Sequence, residues 1–183
     1  TKPDDLVYRS DFPAPGHPGG FDAGYFCFAD SSVRWVERDI IPEKFRGLLT
    51  ARGGEPVDKL YPQTRTGVPE LTPEMLTRRS RDSGNLKRIG IAMMNYQETF
   101  RHYPVVFLLG PDGKPWHSWR VLLLYALGEE ALFKEYDMTV PWNHSKNLEL
   151  LDQMPDVYAD PFADNPSRTH TKYVEITGSE TAF

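Results

Sequence analysis

The chain has 183 residues, of which 39% are hydrophobic and 26% are charged, and it contains 14 glycines and 16 prolines. This composition predicts a soluble, loop-rich globular domain and excludes a disordered or collagen-like chain. The formal net charge of −5 argues against nucleic acid as a partner, because phosphate binding requires a basic surface. The single cysteine, Cys27, cannot form a disulfide within the chain.

No part of the sequence predicts a membrane segment. The opening T-K-P-D-D-L has no basic stretch followed by an apolar run, so no signal peptide is expected. No segment approaches the roughly 18 consecutive apolar residues of a transmembrane helix. We therefore expect no membrane span in this chain.

The N-terminal third predicts short elements separated by turns. Residues 1–23 are rich in proline and glycine, which favours surface coil. Two aromatic and β-branched runs, 25–28 and 33–36, flank a turn-prone Asp-Ser-Ser and predict a β-hairpin. Pro42 suits the first turn of a short helix, which the glycine pair at 53–54 would end.

A long helix is the clearest element. Residues 58–72 carry prolines and a glycine without any hydrophobic period and predict a linker. Thr72 can cap a helix with Pro73 at its first position. Apolar residues then recur at steps of three and four, as expected for one helical face: Leu86, Ile89, Met93, Tyr96 and Phe100. The first half of this helix is basic, so only the second half is expected to bury a face.

The region after the helix predicts a second hairpin and short helices. An apolar run at 105–109 meets the turn signal Pro-Asp-Gly, and Trp116 opens the returning segment. Ser118 can cap a helix from Trp119 towards Leu127, which Gly128 would end.

Three further elements complete the pattern. A helical piece is expected at 129–136, a helix capped by Ser145 at 146–153, and a half-buried strand at 172–177. Helices and strands do not alternate as βαβ units, so the fold class is α+β.

Several motifs in the second part of the chain are similar to one known family. The segment N-L-K-R-I-G-I-A-M-M-N-Y at 85–96 resembles the N-N-L-K-Q-I-G-L-A-x-H-N-Y helix of a large planctomycete-type bacterial family of unknown function. The resemblance continues in order with G-K-P at 113–115, S-W-R-V-L-L-L at 118–124, P-W-N at 141–143 and G-S-E-T-A-F at 178–183. That family is also labelled solute-binding-protein-like and commonly carries a prepilin-type N-terminus.

The first part of the chain resembles the C-terminal end of the same family. Three of its motifs have counterparts here: K-P-E-D-L in K-P-D-D-L at 2–6, G-G-F-N in G-G-F at 19–21, and F-A-D-G-S-V-R in F-A-D-S-S-V-R at 28–34. The G-G-E at 53–55 matches the G-G-E at the end of the family sequence. The resemblance thus divides the chain into a tail-like part at 1–57, a linker at 58–72 and a head-like part at 73–183. This inverted order implies either a circular permutant or, as we favour, a piece of a protein with tandem copies.

The resemblance also implies two lost cysteines. The family often places one cysteine just before N-N-L-K and another in a C-P-S motif, and the equivalent positions here are Asp82 and Asp160. Two further departures are Met94, where the family has histidine, and Ser31, where it has glycine. The fold implied is pilin-like, with a long helix packed on an antiparallel sheet and short extra helices.

One group of residues suggests a binding site. Aromatic faces beside a guanidinium can stack on a sugar or a peptide. The residues that suggest such a site are Trp116, Trp119, Arg120 and Trp142, together with Tyr136. The alternative is that Trp119 and Trp142 pack the helix against the sheet while Arg120 pairs with Asp137 or a carbonyl.

No residue pattern predicts catalysis or a metal centre. The five histidines show neither i, i+4 spacing nor an H-E-x-x-H motif, and adjacent acidic pairs diverge too far to flank one bond. Ser118 follows His117 but lacks a G-x-S-x-G elbow, and Cys27 between two phenylalanines is typical of a packed strand residue. We therefore expect no enzyme, no metal and no cofactor.

The leading hypothesis is a non-enzymatic structural or protein-interaction module of the bacterial cell envelope or surface, outside the cytoplasm. Protein partners or self-association are expected, because residues 1–57 carry too little core to fold alone and should dock on residues 73–183 of the same or a neighbouring chain. The rival hypothesis is a solute-binding domain that recognises a sugar or peptide through the aromatic and arginine group.

Overall fold

The architecture was analysed in a computed structural model, which describes residues 16–17, 20–21, 23–27, 33–37, 72–163, 168–171 and 173–174. Within these ranges the fold combines one long helix, three two-stranded antiparallel sheets and several short helices. The α+β class expected from the sequence is confirmed.

The N-terminal strands form two small sheets. Strands β1 (Gly16–His17) and β2 (Gly20–Phe21) pair with each other where coil was expected, so that expectation is wrong at these residues. Strands β3 (Ala23–Cys27) and β4 (Val33–Glu37) form the predicted hairpin, with Tyr25 opposite Trp35. The predicted helix at 42–54 and nearly all of the predicted linker at 58–72 lie outside the described residues.

Helix α1 (Pro73–Phe100) is the predicted long helix. The backbone N–H of Met75 donates to Thr72 Oγ1 at 3.2 Å, so the predicted cap is confirmed. The helix ends at Arg101, whose left-handed backbone lets its N–H donate to the carbonyl of Gln97.

One face of α1 is buried, and its burial begins at Asp82, after an N-terminal stretch with no buried residue. This confirms that the first half of the helix does not bury a full face. Ile89 is buried and Leu86, Met93 and Tyr96 are partly buried, whereas Phe100 is exposed and extends past the core.

The second hairpin is also confirmed. Strand β5 (Phe107–Leu109) pairs with β6 (Pro115–Ser118), with a register irregularity between Leu108 and Leu109. The turn between them holds Gly113 at φ 73°, a conformation in which a side chain would be strained.

The short helices differ in detail from expectation. Helix α2 (Trp119–Leu122) ends well before Leu127, and the chain continues in turns to Gly128 at φ 84°. Ser118 occupies the N-cap position, but its side chain makes no capping hydrogen bond, so the capping role predicted for it is wrong. Its neighbour Trp119 instead donates its N–H to the carbonyl of Val106, which ties α2 to the residue directly before β5.

Helices α3 (Glu130–Glu135) and α4 (Ser145–Leu148) follow, and then the 3-10 helices Leu151–Gln153 and Asp156–Tyr158. The cap of α4 is His144 rather than Ser145, because the His144 ring accepts the N–H of Lys146 at 3.4 Å. In the expected strand at 172–177, the described residues 173–174 are not strand, and the others lie outside the described range.

A compact set of apolar side chains joins these elements. The long helix contacts β3, β4 and the 3-10 helix Asp156–Tyr158. Its buried face packs on residues from α2, the turn after it, that 3-10 helix and the C-terminal segment: Ile89, Ala92, Trp119, Leu123, Val157, Tyr158 and Tyr173 form this core. The N-terminal hairpin thus lies against the helix of the head-like part.

In the described part of the chain, no helix is both long and apolar enough to cross a membrane.

The Thr72→Ala substitution tests the start of α1. Loss of the Thr72 hydroxyl leaves the Met75 N–H without its side-chain partner, and we expect a loss of about 1 kcal/mol in the free energy of unfolding. Urea denaturation followed by circular dichroism measures it. Thr72→Ser keeps the capping oxygen and should stay close to the original stability; equal losses in both variants would contradict the capping role.

Candidate functional site

The candidate aromatic and arginine residues are divided between the core and the surface. Trp119 on α2 is only 3% exposed, and its ring meets Tyr158 edge to face, with 5.9 Å between ring centroids. Trp142, in the loop before α4, is 52% exposed, so the alternative in which it packs the helix against the sheet is wrong for this residue. Trp119 does pack in the core.

Arg120 stacks on its neighbour and binds a carbonyl. Its guanidinium carbon lies 4.4 Å from the centroid of the Trp119 ring, and its Nη2 donates to the carbonyl oxygen of Tyr173. The backbone carbonyl of Arg120 in turn accepts the Tyr158 hydroxyl at 3.0 Å. Arg120 therefore holds the C-terminal segment to the core, as the packing alternative with a carbonyl partner predicted.

Trp116 on β6 is half-buried and lies directly over a glycine. A Cβ placed on Gly110 would come within 2.1 Å of the Trp116 ring, so only glycine permits this approach. The carbonyl of Trp116 accepts the N–H of Trp142 at 3.0 Å. The backbones of the two tryptophans are thus joined, whereas the side chains of Trp119 and Trp142 lie in different environments.

Asn147 on α4 organises the loop that carries Trp142. It is buried, and its Oδ1 accepts the N–H of Asp137 at 2.9 Å. Its Nδ2 lies 3.0 to 3.3 Å from three carbonyl oxygens, those of Asp137, Val140 and Pro141. Spacing in the sequence does not reveal this role of Asn147, because a buried asparagine that bonds a loop backbone has the same sequence pattern as a surface one.

Asp137 fixes the same loop from outside. Hydrogen bonds from the side chain and backbone of Thr139, and one from Lys146 Nζ at 3.0 Å, lower the pKa of Asp137 well below its usual range. The carboxylate is therefore charged at neutral pH and serves as a loop anchor. Asp137 was one of the two partners that the packing alternative offered for Arg120; here Asp137 bonds Lys146, and Arg120 bonds the carbonyl of Tyr173.

His117, which is buried, and Tyr136, which is partly buried, form a neutral pair beside the loop. His117 Nδ1 lies 2.9 Å from the Tyr136 hydroxyl. Burial lowers the pKa of His117, an effect that a backbone hydrogen bond with Met138 partly offsets, and burial raises the pKa of Tyr136 to about 12. Both groups are thus held uncharged near neutral pH.

A second polar cluster joins α1 to the C-terminal segment. The buried Tyr173 hydroxyl donates to Asp82 Oδ1 at 2.8 Å and accepts from Asn85 Nδ2 at 3.2 Å. Burial, followed by the charge of Asp82, raises the pKa of Tyr173 far above its usual range, and Asp160 contributes to the same effect. The two positions that the resemblance assigns to cysteines therefore lie near one phenol.

Asp160 and its neighbours tie this region to the start of α1. Asp160 Oδ1 accepts the N–H of Phe162 at 2.9 Å, and the carbonyl of Phe162 accepts Arg78 Nη1 at 2.7 Å. Arg78 also bonds Glu74 at 2.7 Å. Sequence reasoning did not find this cluster, because its members are up to 91 residues apart.

Among the residues that the structure describes, no three His, Cys, Asp or Glu side chains are grouped so that they could hold a metal ion.

The chain matches the model of one protein family, described as "Protein of unknown function (DUF1559)", over residues 76–182. The match covers more than half of the chain, so the chain belongs to this family. Neither a curated protein nor a solved structure matches it.

The Tyr173→Phe substitution tests the link between α1 and the C-terminal segment. Without the phenol oxygen, the buried Asp82 and Asn85 each lose a hydrogen-bond partner, and we expect a loss of about 1–3 kcal/mol in the free energy of unfolding. Chemical denaturation measures the change. Tyr125→Phe, at an exposed tyrosine, is the matched control and should change stability little; an equally small change at Tyr173 would show that the cluster is not structural.

The pH dependence of stability tests the burial of His117. Its pKa is lower in the folded chain than the value of about 6.5 in an unfolded one, so the unfolded state binds the proton more tightly. The contribution of His117 to the free energy of unfolding should be fully present above about pH 6.5 and decrease as the pH drops below that value. Denaturation midpoints between pH 5 and 8 should show this slope, and His117→Gln should reduce it. His102→Gln, at an exposed histidine, should retain it.

Proposed function

We propose that this protein is a non-enzymatic structural or protein-interaction module of the bacterial cell envelope or surface, with a pilin-like arrangement. The observation that carries the proposal is helix α1, 28 residues long, which presents one face to the core and also contacts the β3–β4 hairpin. A long helix covered by antiparallel strands is the arrangement that the resemblance implies. A planctomycete-type origin and a prepilin-type N-terminus in the parent protein belong to the same proposal.

The polar groups of the site support a structural role. Asn147 bonds four backbone groups of one loop, Tyr173 bonds two side chains of α1, and Arg120 binds a carbonyl. The bonds of Tyr173 and Arg120 join parts of the chain that are distant in sequence, and those of Asn147 fix one local loop. Such contacts within the chain favour rigidity, whereas an acid or base that acts on a substrate must reach it.

The order of the two parts supports association through the hairpin. An isolated hairpin is marginal in water, and here β3 and β4 gain a partner by contacting α1. In a protein of tandem copies, the hairpin at the end of one copy would dock on the helix of that copy, and the present chain would join the end of one copy to the start of the next. A circular permutant would use the same contact within one domain.

Cell fractionation tests the proposed location. An antibody against the purified chain should detect the parent protein in the envelope fraction of the cells that produce it. A cytosolic enzyme should serve as the fractionation control. Recovery of the parent protein with that enzyme in the cytosol would overturn the proposal.

A solute-binding role is the second candidate, and one observation favours it: Trp142 is exposed on a loop that Asn147 and Asp137 hold in place. A fixed exposed indole is a suitable stacking surface for a sugar or a peptide side chain. Trp116 is the neighbour that could extend this surface, because Trp119 is buried and Arg120 is engaged. Tryptophan fluorescence against glycans and peptides should then respond in the original chain and not in Trp142→Ala. The absence of any response would remove this candidate.

A further inference from the structure

A cleft lies between the first turns of α1 and the segment that follows the last 3-10 helix. Glu74, Thr77, Arg78 and Arg81 line it on the helix side, and residues from 160–163 line it on the other. Positions 74, 78 and 81 are four and three residues apart, so their side chains share one face of α1. The volume of about 360 Å³ lies in the range of small-molecule sites. This space is called the α1 cleft below.

Hydrogen bonds connect the two walls of the α1 cleft. Arg78 Nη2 donates to Glu74 Oε1 at 2.7 Å, and Arg78 Nη1 donates to the carbonyl of Phe162 at 2.7 Å. On the opposite wall, Asp160 Oδ1 accepts the N–H of Phe162 at 2.9 Å. The charge of Arg78 is thus paired with that of Glu74, and the same guanidinium ties the helix to the segment across the cleft.

Arg81 differs from Arg78 in its contacts. It is exposed, and it makes no hydrogen bond and no ion pair with any residue that the structure describes. Arg78 lies one turn earlier with the same sign of charge, and like charges at this spacing repel each other. Arg81 lies two turns into α1, beyond the N–H groups that a helix leaves unpaired at its start, so the cleft acts through side chains. An anion beside Arg81 would be stabilised by both guanidinium groups.

The opposite wall limits which anion fits. Asp160 and Arg81 both line the cleft, yet no ion pair joins these two described residues. The cleft therefore presents a positive group and a negative group that do not neutralise each other. A ligand with negative charge alone, such as phosphate, would face the carboxylates of Asp160 and Glu74 as well, and like charges brought together lower affinity.

We propose that the α1 cleft binds a small molecule that carries both a carboxylate and an amino group, the chemistry of a free amino acid. The planar guanidinium of Arg81 matches a carboxylate and can form two parallel hydrogen bonds with it. The charge of Asp160 attracts the ammonium group of the same molecule. Both signs of charge on the ligand thus meet the opposite sign on the cleft.

This inference goes beyond the proposed function, because it adds a ligand to a module that is proposed to act through protein contacts. It also differs from the solute-binding candidate at Trp142, since none of the residues that line the α1 cleft belongs to the loop before α4.

Isothermal titration calorimetry on the whole chain tests the proposal. The probes are glycine, L-alanine, L-lysine and L-glutamate, and acetate and methylammonium are controls that carry one charge each. At least one amino acid should bind at least about tenfold more tightly than either control, because each control can pair with only one wall of the cleft.

Three variants locate the binding. Arg81→Gln should weaken it at least about tenfold, since the charged partner of the carboxylate is lost. Asp160→Asn keeps an oxygen for the Phe162 N–H and should reduce the advantage of the amino acid over acetate. Arg88→Gln, at an exposed arginine of α1 outside the cleft, is the matched control and should bind like the original chain. Circular dichroism should show that all three variants are folded.

Nuclear magnetic resonance shows where the amino acid binds. The backbone amide signals of Arg81 and Ala163, on opposite walls, should shift during the titration. The proposal would be overturned if no amino acid in the panel bound, if acetate bound equally well, if Arg81→Gln left the affinity unchanged, or if the shifts lay only outside the cleft.

Discussion

Burial of one face of helix α1 is the contact on which the described structure depends. Ile89 and Ala92 supply the helix side, and Trp119, Leu123 and Tyr158 supply the other. The elements on the other side are not stable alone, because α2 has four residues and the 3-10 helix Asp156–Tyr158 has three. Their conformation therefore follows from the core that they complete.

Polar contacts extend this core in two directions. The Tyr173 hydroxyl fastens the C-terminal segment to Asp82 and Asn85 on α1, while Arg120 binds the backbone carbonyl of the same tyrosine. Of the two positions that the resemblance assigns to cysteines, Asp82 accepts a hydrogen bond from the buried Tyr173 hydroxyl, and the charge of Asp160 acts on the same phenol. These hydrogen bonds depend on burial for their strength.

Burial and hydrogen bonding also decide which candidate binding residues lie in the core and which lie on the surface. Trp119 was a plausible stacking residue in the sequence, but its large apolar ring gains more by packing in the core, with the Arg120 guanidinium over its face. Trp142 is exposed because it belongs to a loop whose backbone is satisfied by Asn147. The neutral His117–Tyr136 pair beside that loop contributes packing and one hydrogen bond, and burial keeps it uncharged. The site thus offers one rigid surface indole supported by structural polar groups.

Local signals in the sequence determined the α+β class, the start of α1 at Thr72, the hairpin of β3 and β4, and the hairpin of β5 and β6. Each of these depends on neighbouring residues: a cap before proline, an alternating run, a Pro-Asp-Gly turn. The tertiary structure alone decided that α2 stops at Leu122 and that His144 caps α4. It also brought Tyr173 to Asp82 and separated Trp119 from Trp142, because burial and hydrogen bonding between distant segments leave no periodic pattern in the chain.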